Sequence, residues 1–169
     1  MAYIISQVSG ILVFIFAFIS MQAKNIKTSL LCQIFCNGLG MVSYVLTDGF
    51  SGFGIYLIAT IQSAVFFFLR KSGKEEPRWI YPFIFIAYIA CSLMTFTSAL
   101  DIVPMIAALL CALALIQKKP NYYRIIVLFN GALWIVYDLF IANYAMLASH
   151  IFVVGSAVCG IIYRDVLKK

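Results

Sequence analysis

Seven apolar segments, each close to the length of a membrane-crossing helix, take up most of the chain. They run over residues 3–21, 28–47, 52–69, 79–97, 100–117, 122–141 and 145–163. A helix needs about 20 residues to cross the hydrocarbon of a bilayer. Backbone amides and carbonyls cannot go unpaired there, so each segment is expected to be α-helical. The composition agrees. Of the 169 residues, 64% are hydrophobic and only 11% are charged, against about 25% charged in soluble domains; the mean hydropathy is +1.04. The expected fold class is all-α, a polytopic membrane protein. The first segment has no Lys or Arg before Lys24 and no clear small-residue cleavage site, so it is expected to be a span rather than a cleavable signal peptide.

The basic residues orient the segments. Lys24 and Lys27 lie between segments one and two, and Arg70, Lys71, Lys74 and Arg78 between three and four. Lys118, Lys119 and Arg124 lie between five and six, and Arg164, Lys168 and Lys169 at the end of segment seven or beyond it. All twelve therefore fall on one side. The opposite connectors carry Asp48, Asp101 and the uncharged run from Ile141 to Tyr144. Basic connectors stay in the cytoplasm, which puts the N-terminus outside and the C-terminus inside. The net charge of +6 is thus read as a membrane-topology signal, and no nucleic-acid partner is expected.

A repeat runs through this frame. Asn37-Gly38 recurs as Asn130-Gly131, a shift of 93 residues, and each Asn is followed seven residues later by a tyrosine, Tyr44 or Tyr137. Continued without a gap, Ser63-Ala64-Val65 falls on Ser156-Ala157-Val158 and Lys71 on Arg164. Segments two and three repeat as six and seven, one and five correspond loosely, and four is left as a linker. The expected organisation is a three-helix repeat over 1–72, a linker helix over 73–98 and a second, parallel three-helix repeat over 99–169. Transporters built on repeats hold substrate near the midplane between them.

This layout resembles the SWEET/PQ-loop (MtN3-like) superfamily, and within it the YgjV-like bacterial inner-membrane proteins. The resemblance rests on chain length, on the Asn-Gly…Tyr and Ser-Ala-Val repeat, and on "IVPMIAALL" opening segment five. It implies a transporter-like fold in the inner membrane, without a settled substrate. The chain departs from the SWEET pattern. Pro104 in segment five has no partner in segment one, segments two and six contain no proline, and the Pro-Gln pair is absent. Neither the proline-hinge mechanism nor a sugar substrate is carried over.

Depth selects the candidate site. Asn37, Asn130, Gln62 and Ser156 lie near the middle of their segments, at about one level in the bilayer. Gln33, Asn37 and Tyr44 share a face of segment two by helical spacing, as do Asn130, Trp134 and Tyr137 of segment six. Amides fix hydrogen bonds and aromatic walls stack on rings, so these residues are expected to bind a small polar or ring-containing substrate. The competing reading is that they join helices by hydrogen bonds. Asp138 is the one acid well inside a span, and the sole histidine, His150, lies at equal depth across the turn near Asn143. Such a pair is suited to carry a proton with the substrate. The cysteines (Cys32, Cys36, Cys91, Cys111 and Cys159) all fall inside segments without a metal-ligand pattern, and no catalytic motif is present. No cofactor or metal is implied. The expected function is transport by a facilitator or proton-coupled carrier, not an enzyme; the alternative is a ligand-binding or regulatory membrane protein of the same fold. The oligomeric state is not read from the sequence.

The charge pattern makes a direct prediction. In a cysteine-free background, a single cysteine at 48 or 101 reacts with an impermeant thiol reagent from outside, whereas one at 74 or 119 reacts only after the membrane is opened. Outside labelling at 74 overturns the seven-span topology.

Overall fold

A computed structural model of the protein describes residues 1–22, 26–74, 77–116 and 120–162. The basic residues Lys24, Lys118, Lys119, Arg164, Lys168 and Lys169 lie outside the described residues. Among the described residues there are seven α-helices and no strand: α1 (Ala2–Gln22), α2 (Ile26–Val45), α3 (Phe50–Lys71), α4 (Ile80–Met94), α5 (Ile102–Ile116), α6 (Pro120–Phe140) and α7 (Tyr144–Gly160). A single 3-10 turn, Ala99–Asp101, precedes α5. α6 opens on Pro120, whose missing N–H is one that the first turn of a helix leaves unbonded anyway. Ala2–Ser20 and Phe50–Lys71 are continuous apolar helices long enough to cross a bilayer; the other helices present shorter apolar stretches.

α4 ends earlier than its apolar run suggests. Segment four was expected to reach residue 97, but the helix stops at Met94. The Thr95 hydroxyl bonds back to the Cys91 carbonyl at 2.9 Å, and the Ser51 hydroxyl takes the Thr95 carbonyl at 3.1 Å. Beyond it, the amides of Thr97 and Ser98 donate to Asp101 Oδ2 at 2.8 and 2.7 Å instead of extending the helix. Asp101 is therefore buried, and of the two outer labelling positions only Asp48, which is exposed, is open to reagent.

The two tight hairpins close alike. Asp48 and Ala142 have positive φ, 56° and 54°. The following amides, Gly49 N–H and Asn143 N–H, bond back to the Tyr44 and Asp138 carbonyls at 2.9 and 3.0 Å. This is the left-handed C-terminal closure that satisfies orphan carbonyls. Around these hairpins α1 packs on α2 and α7, α2 on α3, α3 on α5, α5 on α6 and α6 on α7, which forms a closed ring. α4 lies against α3 and α5 and buries only Tyr88 and Ser92.

Polarity is inverted relative to a soluble protein. Ser6, Ser43, Asp138 and Asn143 have no exposed surface, while Phe68, Phe83, Phe129 and Phe140 point outward and are more than half exposed. Water does not tolerate an apolar exterior of this extent on a monomer; hydrocarbon does.

Asp101 gives a stability prediction, since it precedes α5 and lies outside the spanning helices. Burial raises its pKa, but the Thr97 and Ser98 amides and the Ser51 and Thr97 hydroxyls outweigh that and hold it below its ordinary value. Its contribution is complete above the unfolded pKa of about 4 and is lost as pH falls through the lower folded value. Asp101→Asn is expected to cost about 0.5–2 kcal/mol at pH 7. The gap in melting temperature should close at more acid pH. A gap that is constant on acidification would show that the carboxylate charge contributes nothing.

Candidate functional site

A Gly-x-x-x-Tyr spacing occurs on both α2 and α3, as Gly40…Tyr44 and Gly52…Tyr56. Residues four apart share a helix face, and the two helices are antiparallel neighbours. The Tyr44 ring seats over Gly52 and the Tyr56 ring over Gly40; a Cβ at either glycine would overlap the facing ring. The two rings pack at 5.1 Å between centroids, and both hydroxyls reach across to α6 and α7.

There they hold Asp138 and His150. Tyr44 O–H donates to Asp138 Oδ1 at 2.7 Å. His150 Nδ1 lies 2.6 Å from Asp138 Oδ2, and Tyr56 Oη lies 3.1 Å from His150 Nε2. The Trp134 ring stacks on the imidazole, with centroids 5.5 Å apart and planes 15° from parallel. Asp138 has no exposed surface. Short hydrogen bonds to an ionised acceptor are the strong kind, and a carboxylate at Nδ1 sets the imidazole tautomer.

On the side of the hairpin turns, the cluster is sealed. Ser6 O–H bonds the Ser43 carbonyl at 3.0 Å and Asn143 Nδ2 donates to Ser43 Oγ at 2.9 Å, with all three side chains fully buried. On the other side lies a cavity of about 330 Å³. It runs from His150 and Tyr56 past Ser149, Cys36 and Asn37 to Gln33. Gln33 is exposed and lies on the α2 half that begins near Lys27, so the cavity opens toward the basic end.

The candidate residues divide accordingly. Gln33, Asn37 and His150 line the cavity, and Asn37 Nδ2 also donates to Ser63 Oγ at 3.1 Å. Tyr44, Trp134, Tyr137 and Asp138 form the packed wall behind it, where the Tyr137 hydroxyl accepts from the Gly52 amide at 3.4 Å. Gln62 turns away to accept from Tyr88 on α4 at 2.9 Å. Ser156 is exposed on the outer face of α7. Asn130 bonds the Ala107 carbonyl on α5 and is not among the cavity-lining residues, so it does not face Asn37.

Asn37 and Asn130, both expected to bind substrate, do not meet, and the contacts across the bundle follow a shift of 94 residues rather than 93. Tyr44 meets Asp138 and Tyr56 meets His150, each 94 residues apart. Cys36 Sγ bonds the Val13 carbonyl, and Asn130 bonds the Ala107 carbonyl; the second bond is the first displaced by 94 residues at both ends. At a shift of 94, Asp138 falls on Tyr44, Asn130 on Cys36 and Ser156 on Gln62; Gln62 is covered by α4 where Ser156 is bare.

Tyr56 and the Ser6–Ser43–Asn143 layer were not among the candidates from sequence. The doubled Gly-x-x-x-Tyr spacing was the available signal for Tyr56. The layer left none, because its partners are brought together only by the closure of α1 on α2 and α7.

One family model, Imp-YgjV, described as a bacterial inner membrane protein, matches residues 4–167. No curated protein and no solved structure matches the chain.

Loss of a hydroxyl should distinguish the two wall tyrosines. Tyr44→Phe removes a donor from a buried carboxylate and is expected to cost about 1.5–3 kcal/mol of stability. Tyr137→Phe removes only a long, neutral acceptor and should cost about 1 kcal/mol or less. Melting temperatures in one detergent make the comparison; equal losses would mean that Asp138 does not depend on Tyr44.

Proposed function

The chain belongs to the Imp-YgjV family of bacterial inner membrane proteins, and from that premise we propose that it is a seven-span transporter that moves a small polar or ring-containing molecule, coupled to protons by Asp138 and His150. One observation carries the reading: a cavity of about 330 Å³, open at the basic end, has a buried carboxylate–imidazole pair at its closed end. The volume lies at the small end of the range for ligand pockets, about 300–1,000 Å³. A titratable pair inside a bundle of this kind is costly to maintain, and function is its usual reason.

The proposed architecture is three helices, a linker and three helices, with the N-terminus outside. The common offset of 94 supports it, as does the ring of contacts. The α1–α7 contact and the α5–α3 contact exchange under the repeat, and α4 stays outside it. The one-sided basic connectors support the orientation. In this reading the described state is closed to the outside by the Ser6–Ser43–Asn143 layer and open to the cytoplasm at Gln33. The bets for substrate contact narrow to Gln33, Asn37, Tyr56 and His150, with Asn130, Gln62 and Ser156 holding helices or facing lipid. Enzymatic chemistry is not proposed.

The test starts with a thermal-shift screen of the purified protein against sugars, nucleosides, vitamins and amino acids, because specific binding raises the melting temperature. Uptake of a hit into vesicles should rise when a pH gradient is imposed. Asp138→Asn should abolish that rise and leave exchange intact. Asn130→Ala should lower stability by about 0.6–2 kcal/mol and leave affinity unchanged. Uptake indifferent to the gradient would make the protein a passive facilitator, and binding without uptake would make it a receptor.

A further inference from the structure

Three groups along the deep part of the cavity own a single hydrogen each, and each uses it on the protein. Ser149 O–H donates to the Ala145 and Gly10 carbonyls, at 3.2 and 3.4 Å. Cys36 S–H donates to the Val13 carbonyl at 3.4 Å. Tyr56 O–H faces His150 Nε2 at 3.1 Å. With the imidazole neutral and its proton on Nδ1, facing Asp138 Oδ2 at 2.6 Å, Nε2 accepts from Tyr56. In that state Ser149, Cys36 and Tyr56 turn lone pairs toward the cavity.

The charges point the same way. Among the described cavity-lining residues there is no Lys or Arg, and the Asp138 side chain lies directly behind His150. Lys27 lies six residues before Gln33 on α2, about 9 Å along the helix axis toward the mouth, too far to accompany a solute to the closed end. Val13, Ala17 and Val153 add an apolar wall to the cavity.

We propose that the cavity selects small solutes that present hydrogen-bond donors, protonated amines foremost, and rejects anions. This rests on the reading of the cavity as the solute path. An ammonium group supplies hydrogens to the exposed lone pairs and sits in the field of Asp138, while its carbon chain lies on the apolar wall. At the closed end a carboxylate or phosphate would bring lone pairs against lone pairs, with only the neutral amides of Asn37 and Gln33 left to donate to it, and a buried charge without a charged partner is costly.

Cysteine accessibility tests this without knowledge of the natural substrate. Ala17→Cys is placed in an otherwise cysteine-free chain, with Cys36→Ser to keep a single-hydrogen donor to the Val13 carbonyl. It is treated in turn with 2-aminoethyl, 2-(trimethylammonio)ethyl and 2-sulfonatoethyl methanethiosulfonate. Each rate is divided by that reagent's rate with 2-mercaptoethanol. The aminoethyl reagent should react about tenfold faster than the sulfonatoethyl reagent, with the trimethylammonio reagent, of equal charge but without donors, between them. A sulfonatoethyl rate equal to or above the aminoethyl rate overturns the proposal. Equal aminoethyl and trimethylammonio rates overturn the donor requirement and leave charge alone. Phe18→Cys, on the outward face at 46% exposure, measures arrival through lipid or detergent. If no reagent is faster at 17 than at 18, the cavity is not reached from water, and it is the transport reading that fails. Val153→Cys, on the α7 wall, repeats the comparison if Ala17→Cys does not fold.

Discussion

A carboxylate with no exposed surface sets the terms for the packing around it. In an apolar interior an unpaired carboxylate is either neutralised or strongly destabilising. Asp138 is not left unpaired: it accepts from Tyr44 on one oxygen and faces His150 on the other. Each partner then makes its own demand. The Tyr44 ring needs the notch at Gly52, and Tyr56, which holds the far nitrogen of His150, needs the notch at Gly40. The flat face of the imidazole is covered by Trp134. The small and aromatic residues of α2 and α3 are thus arranged around one acid on α6.

Cohesion elsewhere follows from the same solvent argument. In hydrocarbon, apolar side chains gain little by leaving the surface, so helices associate through close packing and interhelical hydrogen bonds. That is why Phe and Ile occupy the exterior and Ser, Asn and Tyr the interior. A polar residue in such a bundle is therefore ambiguous by type alone, and its partners decide its role. The Ser6–Ser43–Asn143 layer has its groups turned on one another and joins α1, α2 and α7. Ser149 and Tyr56 use their hydrogens on the protein but keep lone pairs at a cavity wall.

What was legible in the chain was local. The apolar runs marked the helices to within a few residues, as in α3, expected over 52–69 and formed over Phe50–Lys71. The Asp138–His150 pairing was legible because a tight turn near Asn143 fixes equal depth on its two arms. α4 was overestimated because its apolar run continues past the point where Thr95 bonds back and Asp101 captures the next amides. The contacts between distant helices were not legible. Self-similarity gave an offset of 93, whereas the Tyr44–Asp138 and Tyr56–His150 hydrogen bonds each span 94 residues. Depth along a segment could not tell Asn37, which lines the cavity, from Asn130, which bonds the Ala107 carbonyl. The exposure of Ser156 was hidden for a related reason: α4 covers α3 at Gln62 and has no equivalent over α7.

The offset of 94 also explains why the chemistry is asymmetric. Tyr44 and Asp138 hold corresponding positions in the two proposed repeats, as do Tyr56 and His150, and in each case the corresponding residues touch. Corresponding residues that touch lie on the axis relating the two halves. In a symmetric dimer of one repeat, that axis would set Asp against Asp and His against His, or Tyr against Tyr. The first two repel when charged, and the last offers nothing to titrate. Joining the repeats in one chain removes that restriction, so one half supplies hydroxyl donors while the other supplies the carboxylate and the imidazole. A helix between them, α4 in this reading, is what lets the second repeat enter the membrane in the same direction as the first. In this reading the Asp138–His150 cluster depends on divergence between the two proposed halves at Tyr44/Asp138 and Tyr56/His150, the positions where an unaltered repeat would not form it.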